Sequence, residues 1–151
     1  MRLWQRILYS PEFNVVLFAF LLNYPWEFLQ VPFFKGMPDA DHWEAILFCS
    51  RATGGDALIA LASFWAVALI WRDRHWIHQS KLLPLLGFIG FGVIITIGLE
   101  WHATVLTERW TYAENMPVLP VLGTGLLPVM QWIMLPPLIF WLVRRQTRCA
   151  A

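Results

Sequence analysis

The sequence predicts an all-α polytopic membrane protein, four transmembrane helices with a short interfacial helix after the first. Three observations carry this. Of the 151 residues, 58% are hydrophobic and only 14% are charged, a balance too apolar for a soluble domain of this length. Four apolar stretches are each long enough to cross a hydrocarbon core of roughly 30 Å at about 1.5 Å of rise per residue. Lysine and arginine gather on one side of those stretches, as the insertion of a multi-span protein requires. No internal repeat or second domain is evident, so residues 1–151 are read as one bundle.

The first span, at about 13–34, follows MRLWQRILYSPE and has no small-residue cleavage site behind it. It is expected to stay as an anchor, with the mature chain starting at or near Met1. It contains NYPWEFLQVPFF, in which Asn23, Glu27 and Gln30 fall within about 60° of one another on a helix turning 100° per residue. Pro25 and Pro32 have no N–H to donate, which leaves the carbonyls of Leu21 and Phe28 open. A charge facing lipid costs roughly 2.5–3.5 kcal/mol, so this polar stripe must face protein or water. Glu27 then either carries function or locks the helix to its neighbours through Asn23 and Gln30.

Residues 35–54 begin as a polar loop, after which DHWEAILFCSRA sets Trp43, Ile46 and Leu47 on one face, the expected interfacial helix. The second span, at about 55–71, begins GGD, with Asp56 as its N-cap and two glycines turning the chain into it. The third, at about 82–103, shares Gly87, Gly90 and Gly98 with Ile94 on one face, inviting close helix approach. It ends TIGLEWHATVLTERW, which sets Glu100 and His102 at the depth of Glu27. Arg109, Trp110 and Tyr112 form a compact group beyond it, and Met116, Pro117 and Pro120 impose an extended, lid-like turn. The fourth span, at about 120–143, opens on Gly123, Thr124 and Gly125 and carries Pro128 and Gln131 near its middle.

Arg2, Arg6, Arg72, Arg74, Lys81, Arg144, Arg145 and Arg148 lie on one side, eight of the eleven basic residues; only Lys35, Arg51 and Arg109 lie on the other. Both termini are therefore expected in the cytoplasm. Cys49 and Cys149 fall on opposite sides, so neither a disulfide nor a cysteine metal site is expected. The formal charge of +1 and the lack of a lysine-rich run exclude nucleic acid as a partner. Trp4, Trp71, Trp76 and Trp141 fit an inner aromatic belt and Trp43, Trp101 and Trp110 an outer one, while Trp26, Trp65 and Trp132 either wall a pocket or pack. His75 and His78 are placed among the inner headgroups.

The chemistry is expected at the outer ends. Glu27, Asp56, Glu100 and His102 can converge there from three spans, with His42 as a further member. Such a set suits either of two chemistries. It could hold a divalent metal, for which His42, His102, Asp56 and Glu100 are the candidate ligands, or it could exchange protons with a substrate. No HExxH-type signature favours the metal, and no other cofactor is named by the sequence. Arg109 either pairs with Glu100 or Glu108 or grips an anionic headgroup or diphosphate. With Trp110, Tyr112, Asn23, Gln30 and Gln131 it makes up the expected substrate contacts.

At YPWEFLQVPFF, GGDALIAL and GLEWHATVLTERWTYAENMPVLPVLGTGLLPVMQ the chain resembles a family of small four-span bacterial inner-membrane proteins of no assigned activity, a likeness that covers most of its length. The resemblance implies a bacterial inner membrane. RWTY…LP…Q is also faintly similar to integral-membrane lycopene cyclase domains, although the paired glutamates that follow the proline there are absent here.

The expected function is a small membrane enzyme of isomerase, cyclase or hydrolase type acting on a lipid or isoprenoid from the outer leaflet. Glu27 and Glu100 would serve as acid and base, Asp56 and His102 as support, and Arg109 would orient a polar head. The alternative is a non-catalytic protein that holds a lipid, metal or haem, or an accessory subunit of a membrane complex. Four short spans without a continuous polar path argue against a channel as a monomer. A homo-oligomer stays open. A cavity closed around Glu27 favours the enzyme, and polar residues packed without one favour a structural role.

Overall fold

Ser10 starts the first long helix in the way its chemistry dictates, its Oγ accepting from the Phe13 N–H at 3.3 Å with Pro11 at the first helical position. In the computed structural model, which describes residues 3–79 and 81–148, five α-helices follow one another: α1 (Leu3–Leu8), α2 (Pro11–Gln30), α3 (His42–Trp71), α4 (Leu82–Trp101) and α5 (Leu126–Arg148). Short 3₁₀ turns at Val31–Phe33 and Trp76–His78 and a π turn at His102–Leu106 complete the described helical structure. Four segments are long and apolar enough to cross a membrane: Pro11–Phe33, His42–Trp71, Leu82–Leu106 and Leu126–Thr147. The protein is an all-helical, multi-pass membrane bundle. Cys149 lies outside the described residues, and Cys49 is buried.

Two boundaries differ from the sequence expectation. Residues 42–54 are helical, but they form no separate interfacial helix. They are the opening turns of α3, which runs unbroken for 30 residues. Its cap is Asp41, whose side chain accepts from the Trp43 N–H at 3.0 Å, so Asp56 is a mid-helix residue and Gly54 and Gly55 lie in the helix interior. In lipid a broken helix would leave backbone groups unsatisfied, at several kcal/mol each, whereas a helical glycine costs only about 1 kcal/mol. The fourth span likewise begins later than expected, at Leu126. Residues before it turn through Gly123 at φ 64, with Leu119 and Thr124 bonded backbone to backbone at 2.9 Å. Pro128 thus sits in the first turn of α5, where its missing N–H has no intrahelical partner to lose, and Gln131 near the outer end rather than the middle. The Phe28 carbonyl is not open either: it accepts from the Val31 N–H as α2 tightens into its 3₁₀ turn.

The four spans pack in a ring, α2 on α3 and α5, and α4 on α3 and α5. At the face that holds both described ends of the chain, Trp76 fills the centre of the ring instead of joining the aromatic belt. It is 1% exposed, its ring lies 5.5 Å from Phe64, 5.8 Å from Phe88 and 6.1 Å from Phe140, and its Nε1 donates to the Phe64 carbonyl at 3.2 Å. His78 also leaves the headgroups, with Nδ1 at 3.4 Å from Thr147 Oγ1. Arg74 clamps the 72–81 connection to the start of α2 through Glu12, at 2.5 and 3.1 Å. Close approach of α4 and α5 occurs at Gly92, which receives the Trp132 ring, while Gly90 and Gly98 meet open space. With that end filled in this way, the buried amides Asn23, Gln30 and Gln131 gather toward the other with the carboxyls Glu27 and Asp56.

Candidate functional site

At the end opposite the described chain ends the ring of helices surrounds a cavity of about 340 Å³, walled by all four spans. α2 contributes Glu27 and Gln30, α3 Arg51 and Asp56, α4 Thr96 and Glu100, and α5 Gln131; Phe34, Phe48 and Trp110 supply aromatic wall. Gln131 is the hub. Its Nε2 donates to Asn23 Oδ1 at 2.6 Å and to Asp56 Oδ2 at 2.8 Å, with Glu27 Oε1 at 3.4 Å, while its Oε1 accepts from Gln30 Nε2 at 2.9 Å. Gln30 Nε2 also reaches Glu27 Oε1 at 3.3 Å. The later start of α5 makes this possible, because it brings Gln131 level with Glu27.

Glu27 and Asp56 meet at the same amide, their carboxyl oxygens 3.4 and 2.8 Å from Gln131 Nε2. Glu100 is engaged from outside the membrane. Tyr112 OH donates to Glu100 Oε2, and Trp110 Nε1 approaches the same oxygen at 3.4 Å. The phenol oxygen in turn accepts from the Gly125 N–H at 3.0 Å. Burial first, and the Glu100 carboxylate second, push the Tyr112 phenol above the ordinary tyrosine range. The segment that carries Trp110 and Tyr112 is strapped to the end of α2 by two backbone bonds of 2.9 Å, Lys35 N–H to Thr111 and Ala113 N–H to Phe33.

The structure therefore brings Glu27, Asp56, Glu100, Gln30 and Gln131 together around one cavity, which Arg109 and Trp110 also line. Three expected members take other places. Asn23 is buried behind Gln131 and donates to the Ala19 carbonyl at 2.7 Å, so it positions the hub rather than touching the cavity. Tyr112 stands behind Glu100 in the same way. His102 lines the cavity but is exposed and makes no side-chain hydrogen bond to the carboxyls, so it does not support them. Arg109 stacks 5.6 Å from the Trp110 ring centroid instead of pairing with Glu100 or Glu108. Trp26, Trp65 and Trp132 do not line the cavity.

A metal centre is not assembled. Among the described residues no group of three or more His, Cys, Asp or Glu side chains is disposed to hold an ion. His42 is exposed at the start of α3 and outside the cavity lining, His102 lines the cavity without a bond to the carboxyls, and Asp56 and Glu100 are bonded to Gln131 and to Tyr112. Sequence reasoning missed Arg51 and Thr96. Thr96 stands one turn below Glu100 on the same face of α4, a spacing that could have revealed it. Arg51 was hidden by assigning residues 42–54 to a separate helix. No protein-family model matches the chain, and neither curated proteins nor solved structures contain a match to it.

Proposed function

We propose that the protein is a small enzyme of the bacterial inner membrane, of isomerase or cyclase type, that moves protons on an isoprenoid or other lipid chain entering from the outer leaflet. The observation that carries this reading is the meeting of the Glu27 and Asp56 carboxyls on the Gln131 amide, in the lining of an otherwise largely apolar and aromatic cavity. In this reading the pair keeps one proton, and that proton is the acid. Delivery of that proton to a carbon–carbon double bond leaves a carbocation, which the faces of Trp110, Phe34 and Phe48 favour over water. The pair, now without its proton, keeps the N–H bonds of Gln131 as charge-assisted ones. Glu100, held by Tyr112 and Trp110, is the base that removes a proton from a neighbouring carbon. Proton in and proton out balance, and the double bond has moved or a ring has closed. Loss of the proton from Glu100 and re-protonation of the pair, both through the aqueous rim, complete the cycle.

The bacterial inner membrane is supported by the resemblance at the cavity-lining segments, and the outward mouth by the one-sided lysine and arginine. The test is deuterium incorporation. Purified protein in nanodiscs is incubated in heavy water with a mixture of isoprenoid alcohols, phosphates and polyenes, and the extracted lipids are weighed by mass spectrometry. Wild-type protein should add carbon-bound deuterium to one component, and Glu27→Gln should slow that by about 10²–10⁴-fold, the usual worth of a positioned acid or base. Incorporation at an undiminished rate in Glu27→Gln would refute the assignment.

A further inference from the structure

The acid–base reading leaves two arginines unused. Arg51 on α3 and Arg109 beyond α4 both line the cavity, and both are exposed. Among the described residues neither guanidinium pairs with a carboxylate, although three acidic side chains line the same cavity. Those carboxyls are already engaged, Glu27 and Asp56 with Gln131, Glu100 with Tyr112 and Trp110. Arg109 lies over the Trp110 ring, its Cζ 5.6 Å from the centroid, with its guanidinium N–H groups available to a ligand.

Irregular backbone puts Arg109 in this position. α4 ends in the π turn His102–Leu106, closed by Thr107 N–H to the His102 carbonyl at 3.0 Å and by Arg109 N–H to the Ala103 carbonyl at 2.8 Å. Between them Glu108 holds φ 47, a left-handed conformation that a glutamate seldom adopts. A π turn and a non-glycine left-handed residue in succession are the kind of local strain that concentrates at functional sites. Their effect is to fold the chain back at the end of α4, so that Arg109 and Trp110 border the cavity. Deeper in, Gln30 and Thr96 line it while only 3% and 6% exposed, and Gln30 Oε1 and Thr96 Oγ1 have no hydrogen-bond partner in the protein. Buried polar atoms without partners are rare in a folded chain, and these two, on opposite sides of the ring, both line the cavity and offer a ligand a polar contact.

We propose that this ligand is a single-chain amphiphile with an anionic phosphate or carboxylate head, gripped by Arg51 and Arg109 at the rim while its apolar end enters beside the carboxyl pair. What happens to the inserted end rests on the proton-transfer reading; the grip does not. The planar guanidinium fork matches both anions bidentately. At about 340 Å³ the cavity is at the small end of the ~300–1,000 Å³ range of ligand pockets, which suits one end of one chain and not a two-tailed lipid.

The test titrates the protein in phosphatidylcholine nanodiscs with geranyl phosphate, geraniol or inorganic phosphate, followed by tryptophan fluorescence against empty nanodiscs. Geranyl phosphate should bind at least ten-fold more tightly than geraniol, and the preference should shrink as salt is raised. The double variant Arg51→Gln/Arg109→Gln should bind both within about two-fold, and Arg51→Lys/Arg109→Lys should recover part of the preference. Because wild-type selectivity and its salt dependence need no variant, poor folding of a variant cannot mask the answer. Equal affinity for alcohol and phosphate in the wild type, or a preference that survives the double variant, overturns the proposal. So does displacement of geranyl phosphate by equimolar inorganic phosphate, which would mark a free-anion site, or by phosphatidylglycerol mixed into the bilayer, which would mark a headgroup site. Glu27→Gln should keep the head-group preference while losing deuterium incorporation, so the grip and the proton transfer fail separately.

Discussion

Gly92 and Gly54 are both helical glycines in membrane spans, yet the physics assigns them opposite roles. A methyl group on Gly92 would enter the indole of Trp132, a rigid side chain only 2% exposed, whereas a methyl group on Gly54 would meet nothing within 4 Å. Gly92→Ala should therefore destabilise the bundle by about 1–3 kcal/mol, the usual cost of overpacking a filled core. Gly54→Ala should be neutral or stabilising by up to about 1 kcal/mol through helix propensity. Thermal unfolding in one detergent decides it: a lower midpoint for Gly54→Ala than for Gly92→Ala contradicts the assignment of close approach to Gly92. The sequence alone pointed to Gly87, Gly90 and Gly98, which share a face; of these Gly87 does face a neighbour, a Cβ there lying 3.4 Å from Trp71 and Val67 of α3, while Gly90 and Gly98 do not. Which glycine receives a neighbour depends on where the tryptophan of another helix lands, and no spacing within α4 contains that information.

At the scale of elements, the same limit explains what was legible in the site. Glu27 and Gln30 were visible as one face of one helix, because 100° per residue is a local rule. That Asn23 and Gln131 meet at 2.6 Å across 108 positions, and that Glu27 meets Asp56, depends on the α5 start and on α3 continuing through Gly54 and Gly55. The strap between α4 and α5 is the element whose role sequence described as a lid, and it yields a pH prediction. Tyr112 has its phenol pushed above the ordinary range by burial and by Glu100. A group whose proton is held more tightly in the folded state adds stability that is complete below the unfolded value, about 10 for tyrosine, and is lost as pH climbs beyond it. Wild-type stability should thus fall on the alkaline side of about pH 10, and Tyr112→Phe should be less stable than wild type at pH 8 while showing a shallower alkaline decline. Parallel curves for the two proteins from pH 8 to 11 would show that this phenol does not carry the alkaline loss.

For the whole molecule, an even number of spans puts both described ends of the chain at one face of the bundle and the cavity at the other. The four spans were readable because length and apolarity against a fixed hydrocarbon thickness leave few alternatives. Helix junctions were not, because within the bilayer the satisfaction of backbone groups outweighs the local turn signals of glycine and proline. Eight basic residues against three make an outward-facing cavity the expected orientation, and sidedness decides from which compartment a ligand reaches Glu27. Single cysteines in a Cys149→Ser background test it. Asp39 lies exposed in the connection between α2 and α3, and Gln146 lies exposed near the end of α5. In spheroplasts of a bacterial host, Asp39→Cys should react with a membrane-impermeant maleimide, and Gln146→Cys should react only after detergent opens the membrane. Cys49, buried in the bundle, should stay unlabelled in both. The opposite pattern would turn the cavity toward the cytoplasm, and a ligand of the outer leaflet would then have no route to the carboxyl pair.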